Sequence, residues 1–242
     1  MSVQPSHPKP HLAGHVRACL VGDQMIFLDL LRSKYIGICG PQLHALSEAL
    51  FGEAPADRPE ASRSNPLLID AWIRRLAKQR LLSDAPMPGM RRQPRLPEPV
   101  ESLDTDDGNR GGPDWPQLLR LWHSTWVTSA WLRRRSLADI VDRVVAFRSR
   151  HSNRDRTLDT DALRAGVGTY MRLRPLALTA HDRCLNDSLA LVHFLACQGL
   201  FPQWVIGVRA HPFSAHSWVQ SAGVVINDQP ERVRCYQPIL IV

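Results

Sequence analysis

One stretch near the C-terminus restricts the fold more than any other. Residues 185–200 carry an apolar run that closes at Gly199 and Pro202, behind the polar loop Ala180-His181-Asp182-Arg183. A run bounded that way reads as a buried helix with Cys184 in its first turn. Free backbone N–H groups and the positive end of the helix dipole favour a thiolate there. Two short alternating segments follow, 214–220 and 224–228, joined by Ser221-Ala222-Gly223. A three-residue hairpin loop at that place sets His216 directly opposite Asp228, with both side chains on one face. Cysteine, histidine and acid in that order are the parts of a thiol nucleophile with its base and orienter. The pattern predicts that Asp228 holds the imidazole of His216 while the imidazole faces the helix of Cys184.

Composition bounds the rest. The 242 residues allow one or two domains, and 44% apolar residues are enough for a real core. No run approaches the ~18 apolar residues of a membrane span. The polar N-terminus, rich in Pro and His, has no apolar signal core, so a cytoplasmic location is expected. The five cysteines (Cys19, Cys39, Cys184, Cys197, Cys235) are dispersed without CxxC spacing. Reduced thiols fit them better than a disulfide framework or a zinc site. Cys184, His216 and Asp228 have no fourth ligand at close spacing, so neither a metal nor a cofactor is expected. The net charge of +7 comes from arginine, clustered at 91–92, 133–135 and 148–156. No basic run interleaves with aromatics, which favours a solvated face over a nucleic-acid surface.

Residues 1–14 are expected to form a disordered tail. Segments 16–21, 25–30 and 35–39 read as three short strands at hairpin spacing, with turns at Gly22-Asp23 and near Arg32-Ser33-Lys34. Gly40-Pro41 stops the third, and Leu43, Leu46, Leu50 and Phe51 then give one helix face. A second helix over 67–82 sets Leu68, Trp72 and Leu76 on one side. Residues 15–84 thus predict a small three-stranded, winged-helix-like module, able to bind DNA through a helix or a peptide by strand addition. Arg74, Arg75, Lys78 and Arg80 suit an acidic peptide or phosphates, or simply a solvated face. Residues 85–113 read as a linker, extended by Pro86, Pro88, Pro94, Pro97 and Pro99 and freed by the glycines after 107.

The second domain, 114–242, opens with helices. Trp115, Leu119, Trp122, Trp126 and Ala130 recur at helical spacing, as do Leu137, Ile140, Val141, Val144 and Val145, with Ser136 as an N-cap. The tryptophan stripe is assigned to core packing. A helix over 160–173, the Cys184 helix, a buried strand over 203–209 and a final strand or packed tail at 238–242 complete the order. Helices followed by an antiparallel sheet make an α+β domain.

The residues Val205-Ile206-Gly207-Val208-Arg209, Pro212-Phe213, His216-Ser217-Trp218-Val219 and Val225-Ile226-Asn227-Asp228 carry a likeness. Over most of 183–230 the chain resembles the B proteins of lasso-peptide biosynthesis, above all their proteobacterial, microcin-type branch. The resemblance implies a transglutaminase/papain-like α+β cysteine protease domain with the triad Cys184, His216 and Asp228. It also implies that a module of three strands and three helices recognises the leader of the precursor. Residues 15–84 are similar to that module in order and size, without a matching motif. The implied activity is cleavage of a ribosomally made lasso precursor peptide at its leader–core junction. The freed core would pass to an asparagine-synthetase-like cyclase, and ATP use belongs to that partner.

In those roles Cys184 attacks the carbonyl, His216 takes the thiol proton and returns it to the leaving amine, and Asp228 orients the imidazole. The Cys184 N–H is one oxyanion donor, and loop 180–183 does not single out a second. Asn227-Asp228 also reads as an ordinary turn, His181 as a surface residue, and His193 as too far along the helix for chemistry at the thiol. Trp218 shares the face of His216 and walls the site. Two other readings stay open: an acyltransferase using the same triad, and a non-catalytic peptide- or DNA-binding protein.

Overall fold

Turns that require unusual backbone angles fix the N-terminal sheet. A computed structural model describes residues 10–40, 43–51, 66–83, 96–103, 115–151, 160–177 and 184–242. The chain divides into two units, Met1–Pro94 and Arg95–Val242. In the first, β1 (His11–Leu12) precedes an antiparallel sheet of β2 (Val16–Val21), β3 (Gln24–Asp29) and β4 (Lys34–Cys39), in that order. Gly22 takes φ 58° between β2 and β3, and Ser33 takes φ 52° before β4. Buried Asp29 closes the second turn, its Oδ1 accepting the Leu31 and Arg32 N–H groups, both at 3.0 Å.

Helix α1 (Leu43–Phe51) buries Leu43, Leu46, Leu50 and Phe51 in one cluster with Val16, Met25, Phe27 and Ile38 of the sheet. Helix α2 (Pro66–Lys78) adds Leu76, with Trp72 packed alongside. The helix stops at Lys78 rather than 82, because Arg80 turns to φ 60° and Leu81 N–H reaches back to Leu76 O at 3.0 Å. That releases β5 (Leu82–Ser83) to pair with β1. Residues 11–13, expected in a disordered tail, are therefore bound: Ala13 N–H donates to Leu81 O at 2.9 Å, and Leu12 and Ala13 are buried. The tail at 1–9, the Leu68 side chain, the linker segments 84–95 and 104–114, and loop 178–183 with His181 lie outside the described residues.

The second unit comprises β6 (Glu101–Ser102), α3 (Trp115–Arg134), α4 (Leu137–His151), α5 (Thr160–Leu173), a 3₁₀ turn (Arg174–Leu176), α6 (Cys184–Ala196), β7 (Gln203–Arg209), β8 (Ser214–Ser221), β9 (Val224–Val225), α7 (Pro230–Val233) and β10 (Gln237–Ile241). Its sheet runs β10-β7-β8-β9-β6, antiparallel except for the parallel pair β6 and β9. Helix α6 packs against α3, α4 and α5 and against β7 and β8, which fully buries Leu189, Leu191, Phe194 and Leu195. Ser136 caps α4 as expected, exchanging bonds with Asp139: Asp139 N–H donates to Ser136 Oγ at 3.1 Å, and Ser136 N–H to Asp139 Oδ2 at 3.2 Å. Among the described residues no helix is long and apolar enough to cross a membrane.

Two expectations need correction. Residues 96–103, read as part of a free linker, lie on the edge of the C-terminal sheet. Val100 N–H donates to Gly223 O at 3.0 Å and Leu103 N–H to Val225 O at 2.8 Å, while Gln220 and Arg234 donate to the carbonyls of Pro97 and Pro99. Prolines keep this segment extended and suit an edge, where a missing N–H is harmless. The tryptophan stripe is also misassigned. Trp115, Leu119, Trp122 and Trp126 are 76%, 68%, 57% and 71% exposed, and α3 instead buries Leu121, Ser124, Thr125 and Thr128. The two threonine hydroxyls donate to carbonyls one turn back, at 3.0 and 2.8 Å. Small, internally satisfied side chains let α3 approach α6 closely, and the indoles face outward.

Candidate active site

Cys184 is the first residue of α6 and half-buried. Four residues on, buried Ser188 meets Ser217 of β8, hydroxyl oxygens 2.7 Å apart, and Trp204 Nε1 donates to both, at 3.2 and 2.9 Å. This buried polar pin fixes the helix on the strand beside His216. The His216 imidazole is 5% exposed, and its Nε2 donates to Asp228 Oδ2 at 2.5 Å. The Cys184 side chain faces the same ring closely enough for the imidazole to lower the thiol, and Nε2 being engaged by Asp228 leaves Nδ1 as the nitrogen open to it. The three residues singled out by spacing thus stand in one line, thiol to imidazole to carboxylate.

The route to Asp228 differs from the expected one. The hairpin loop has two residues, Ala222 at φ 47° and Gly223 at φ 88°, and pairs Ser221 with Val224 and Gln220 with Val225. Continued, that register would bring residue 229 opposite His216, but β9 ends at Val225. After Ile226 N–H donates to Val219 O at 2.9 Å, the Asn227 side chain takes over: its Oδ1 accepts Val219 N–H at 2.8 Å. The backbone is then free to turn, and Asp228 reaches His216 from the loop before α7.

The charges follow from these contacts. Burial alone would lower the imidazole of His216, but its bonds to Asp228 and Cys184, and their charges, outweigh burial and raise it from 6.5 to about 9. The bond to His216 lowers the Cys184 thiol against the opposing effect of burial, helped by the backbone of Ser217 and Leu185. Burial likewise works to raise Asp228, but His216, the Gln229 N–H at 2.8 Å and the charge of Arg232 hold it below the ordinary carboxylate range. A lowered thiol beside a raised imidazole is the electrostatic setting of a thiolate–imidazolium pair.

Residues 124–241 match the family model of the transglutaminase-like superfamily. They form a transglutaminase-like domain. Over 47 residues the chain is also 49% identical to the microcin J25-processing protein McjB of Escherichia coli, a stretch that covers 19% of this chain and 23% of that protein. No solved structure matches the chain.

Within the transglutaminase-like domain two aromatic rings flank His216. Trp218 stacks at 6.1 Å between centroids with 19° between planes, and Tyr236 lies at 5.2 Å. Gly207 pairs with His216 across β7 and β8. A Cβ at that position would come within 2.7 Å of the Trp218 ring and 2.9 Å of the Tyr236 Cβ, so only glycine leaves room for both. Sequence reasoning found Trp218 from its period-two spacing and missed Tyr236, which a short turn after α7 brings back onto the site.

His193 belongs to another cluster. Its ring packs against His123 and Trp131, at 5.6 and 5.5 Å, and its Nδ1 lies 3.0 Å from Ser124 Oγ. Burial pushes it down to about 4, so it is neutral at physiological pH. It also lines a partly open pocket with Trp131, Phe147, Val192 and Phe201, and none of Cys184, His216 and Asp228 borders that space.

Proposed function

We propose that the chain is a cysteine peptidase that recognises the leader of a ribosomally made lasso precursor peptide and cuts it at the leader–core junction. The observation that carries this reading is the juxtaposition of Cys184, at the N-terminus of a buried helix, with His216, whose Nε2 is bonded to Asp228. The local identity to a protein named for microcin processing supports the substrate class.

The reaction follows from the geometry. His216 Nδ1 takes the thiol proton, and the Cys184 sulfur attacks the carbonyl at the junction. The Cys184 backbone N–H, free at a helix start, donates to the oxyanion. The imidazolium then gives its proton to the departing core amine, leaving the leader as a thioester on Cys184. Water, deprotonated by the same imidazole, hydrolyses the thioester and restores the thiol. Asp228 keeps the Nε2 proton in place, so Nδ1 is the basic nitrogen, and stabilises the imidazolium.

In this reading the winged-helix-like module at 15–84 binds the leader. Its sheet order leaves β2 and β4 as edges, and an extended peptide can add to either. The peptidase occupies 114–242 and works in the cytoplasm, and an asparagine-synthetase-like, ATP-using cyclase receives the freed core. Mass spectrometry of the precursor encoded beside this gene, incubated with wild type and with Cys184→Ala, tests the reading. Scission of one bond by the wild type alone is the expected result. An intact peptide under both, with and without the cyclase, refutes it. A leader product ending in an amide to an added amine makes the chain an acyltransferase.

A further inference from the structure

Helix α6 buries a second acid one turn beyond the thiol. Asp187 is 7% exposed; its Oδ1 accepts from the hydroxyl of Tyr170 at 3.0 Å and forms an ion pair with Arg174 Nε, also at 3.0 Å. Tyr170 is fully buried on α5 and its hydroxyl also lies 3.1 Å from the Asp187 carbonyl. The side chain of Asn227 also faces the Asp187 carboxylate, closely enough to lower its carboxyl. The same amide, through Oδ1, accepts the Val219 N–H of β8 at 2.8 Å.

One side chain therefore joins three parts of the domain: α6 through Asp187, β8 through Val219, and the loop of Asp228 through the peptide bond between 227 and 228. That loop has left the strand ladder, so no backbone register holds it after Ile226. A carboxylate has lone pairs enough for the Tyr170 hydroxyl, the Arg174 guanidinium and a facing amide, and a buried carboxylate held by a hydrogen bond and an ion pair is a stiff anchor. The groups that face Asp187 are Tyr170 from α5, Arg174 from the 3₁₀ turn, and Asn227 and Asp228 from the loop. Burial raises its carboxyl, the charge of Asp228 adds to that, and Arg174, Tyr170 and Asn227 oppose it.

We propose that Asp187 and Asn227 are positioning residues for the thiol chemistry, holding the Asp228 loop against His216 through the Asn227 amide. The inference rests on the triad reading above. Cutting the bridge leaves all three triad members on the chain but frees the carboxylate to leave Nε2. His216 then loses its fixed tautomer, and the Cys184 thiolate becomes less populated.

The test measures the rate at which iodoacetamide alkylates Cys184 across pH in the full chain, read on its own peptide by mass spectrometry beside precursor cleavage. Asp228→Ala is the reference. Asn227→Ala and Asp187→Asn should each slow Cys184 near neutral pH about tenfold, a displacement of one pH unit in the profile. They should lower kcat with KM unchanged, and add nothing in combination with Asp228→Ala. Asp187→Asn sets two amide donors against each other, and Asn227→Asp sets two carboxylates. The double swap Asp187→Asn/Asn227→Asp restores one amide–carboxylate bond between the same positions, and should recover rate over either single variant. A structural role alone would lower melting temperature without moving the profile. If Asp187→Asn does not fold, Asn227→Ala decides the matter by itself. Wild-type profiles in both single variants, with a slowed Asp228→Ala, overturn the positioning role and leave the triad standing. An unchanged profile in Asp228→Ala overturns the triad and this inference with it.

Discussion

Gly207→Ala adds a single methyl group and is expected to disturb both the fold and the site. The added carbon would sit 2.7 and 2.8 Å from two atoms of the Trp218 ring and 2.9 Å from the Tyr236 Cβ, inside any normal carbon–carbon contact. Neither neighbour is the loose end of a flexible chain. Trp218 is 1% exposed with its Nε1 donating to Gln220 Oε1 at 3.1 Å, and the Tyr236 Cβ is fixed to backbone. Forced repacking of this kind costs about 1–3 kcal/mol. In a domain of this size that lowers the melting temperature by roughly 2–4 °C per kcal/mol. Because Trp218 stacks on His216, displacement of the indole also moves the imidazole, so cleavage should fall by more than the loss of folded protein explains. Gly37→Ala on β4 is the control: its Cβ would meet only Gln24 Oε1, at 3.7 Å. Thermal melts and precursor cleavage of the two variants side by side decide the matter. A Gly207→Ala protein as stable and active as Gly37→Ala would refute the packing argument.

Other predictions address the charges, the hairpin and α3. With His216 raised to about 9 and Cys184 lowered, kcat/KM should form a bell whose alkaline limb lies near 9, and Asp228→Ala should draw that limb downward. Since the folded imidazole lies above its unfolded 6.5, its stabilisation is complete below 6.5 and lost as pH rises through about 9; the melting difference between wild type and His216→Gln should shrink across that window. Cys19, pushed up to about 12 by burial, should resist alkylation under conditions that modify Cys184, as peptide mapping would reveal. Ala222→Gly should stabilise the chain by about 0.5–1 kcal/mol, measured by denaturant titration, because Ala222 is held at φ 47° in a turn that favours glycine. Trp126→Gln should leave stability within about 0.5 kcal/mol of wild type. Leu121→Ala, on the buried face of the same helix, should cost about 2–5 kcal/mol, and equal losses would put the indole in the core.

The line of the candidate site was legible because each member sits where local chemistry leaves a strong mark. A cysteine opening an apolar run marks a helix start, and an alternating segment with His216 marks a half-buried strand. Asp228 meets His216, but by a route other than the expected one. The expected three-residue loop and the observed two-residue loop differ by one place in register, and a regular ladder with the observed turn would have left the acid one place short of His216, opposite Ser217. What corrects the slip is Asn227, whose side chain stands in for a backbone carbonyl and ends the strand. No periodicity announces that substitution, because Asn is as common in ordinary turns. The tryptophan stripe failed for a related reason. Helical spacing in α3 was read correctly, but period alone does not say which face is buried, and hydrophobicity pointed to the indoles. The buried side carries Ser124, Thr125 and Thr128: the two threonine hydroxyls bond the backbone one turn back, Ser124 meets His193, and their size permits close approach to α6. Both errors arise where a polar side chain satisfies the backbone and so does work that patterns of apolar residues cannot register. The same kind of contact, the Asn227 amide oxygen on the Val219 N–H, ends the ladder just before the acid meets the imidazole. The side chains most informative about the chemistry were thus the ones that sequence periodicity was least able to place.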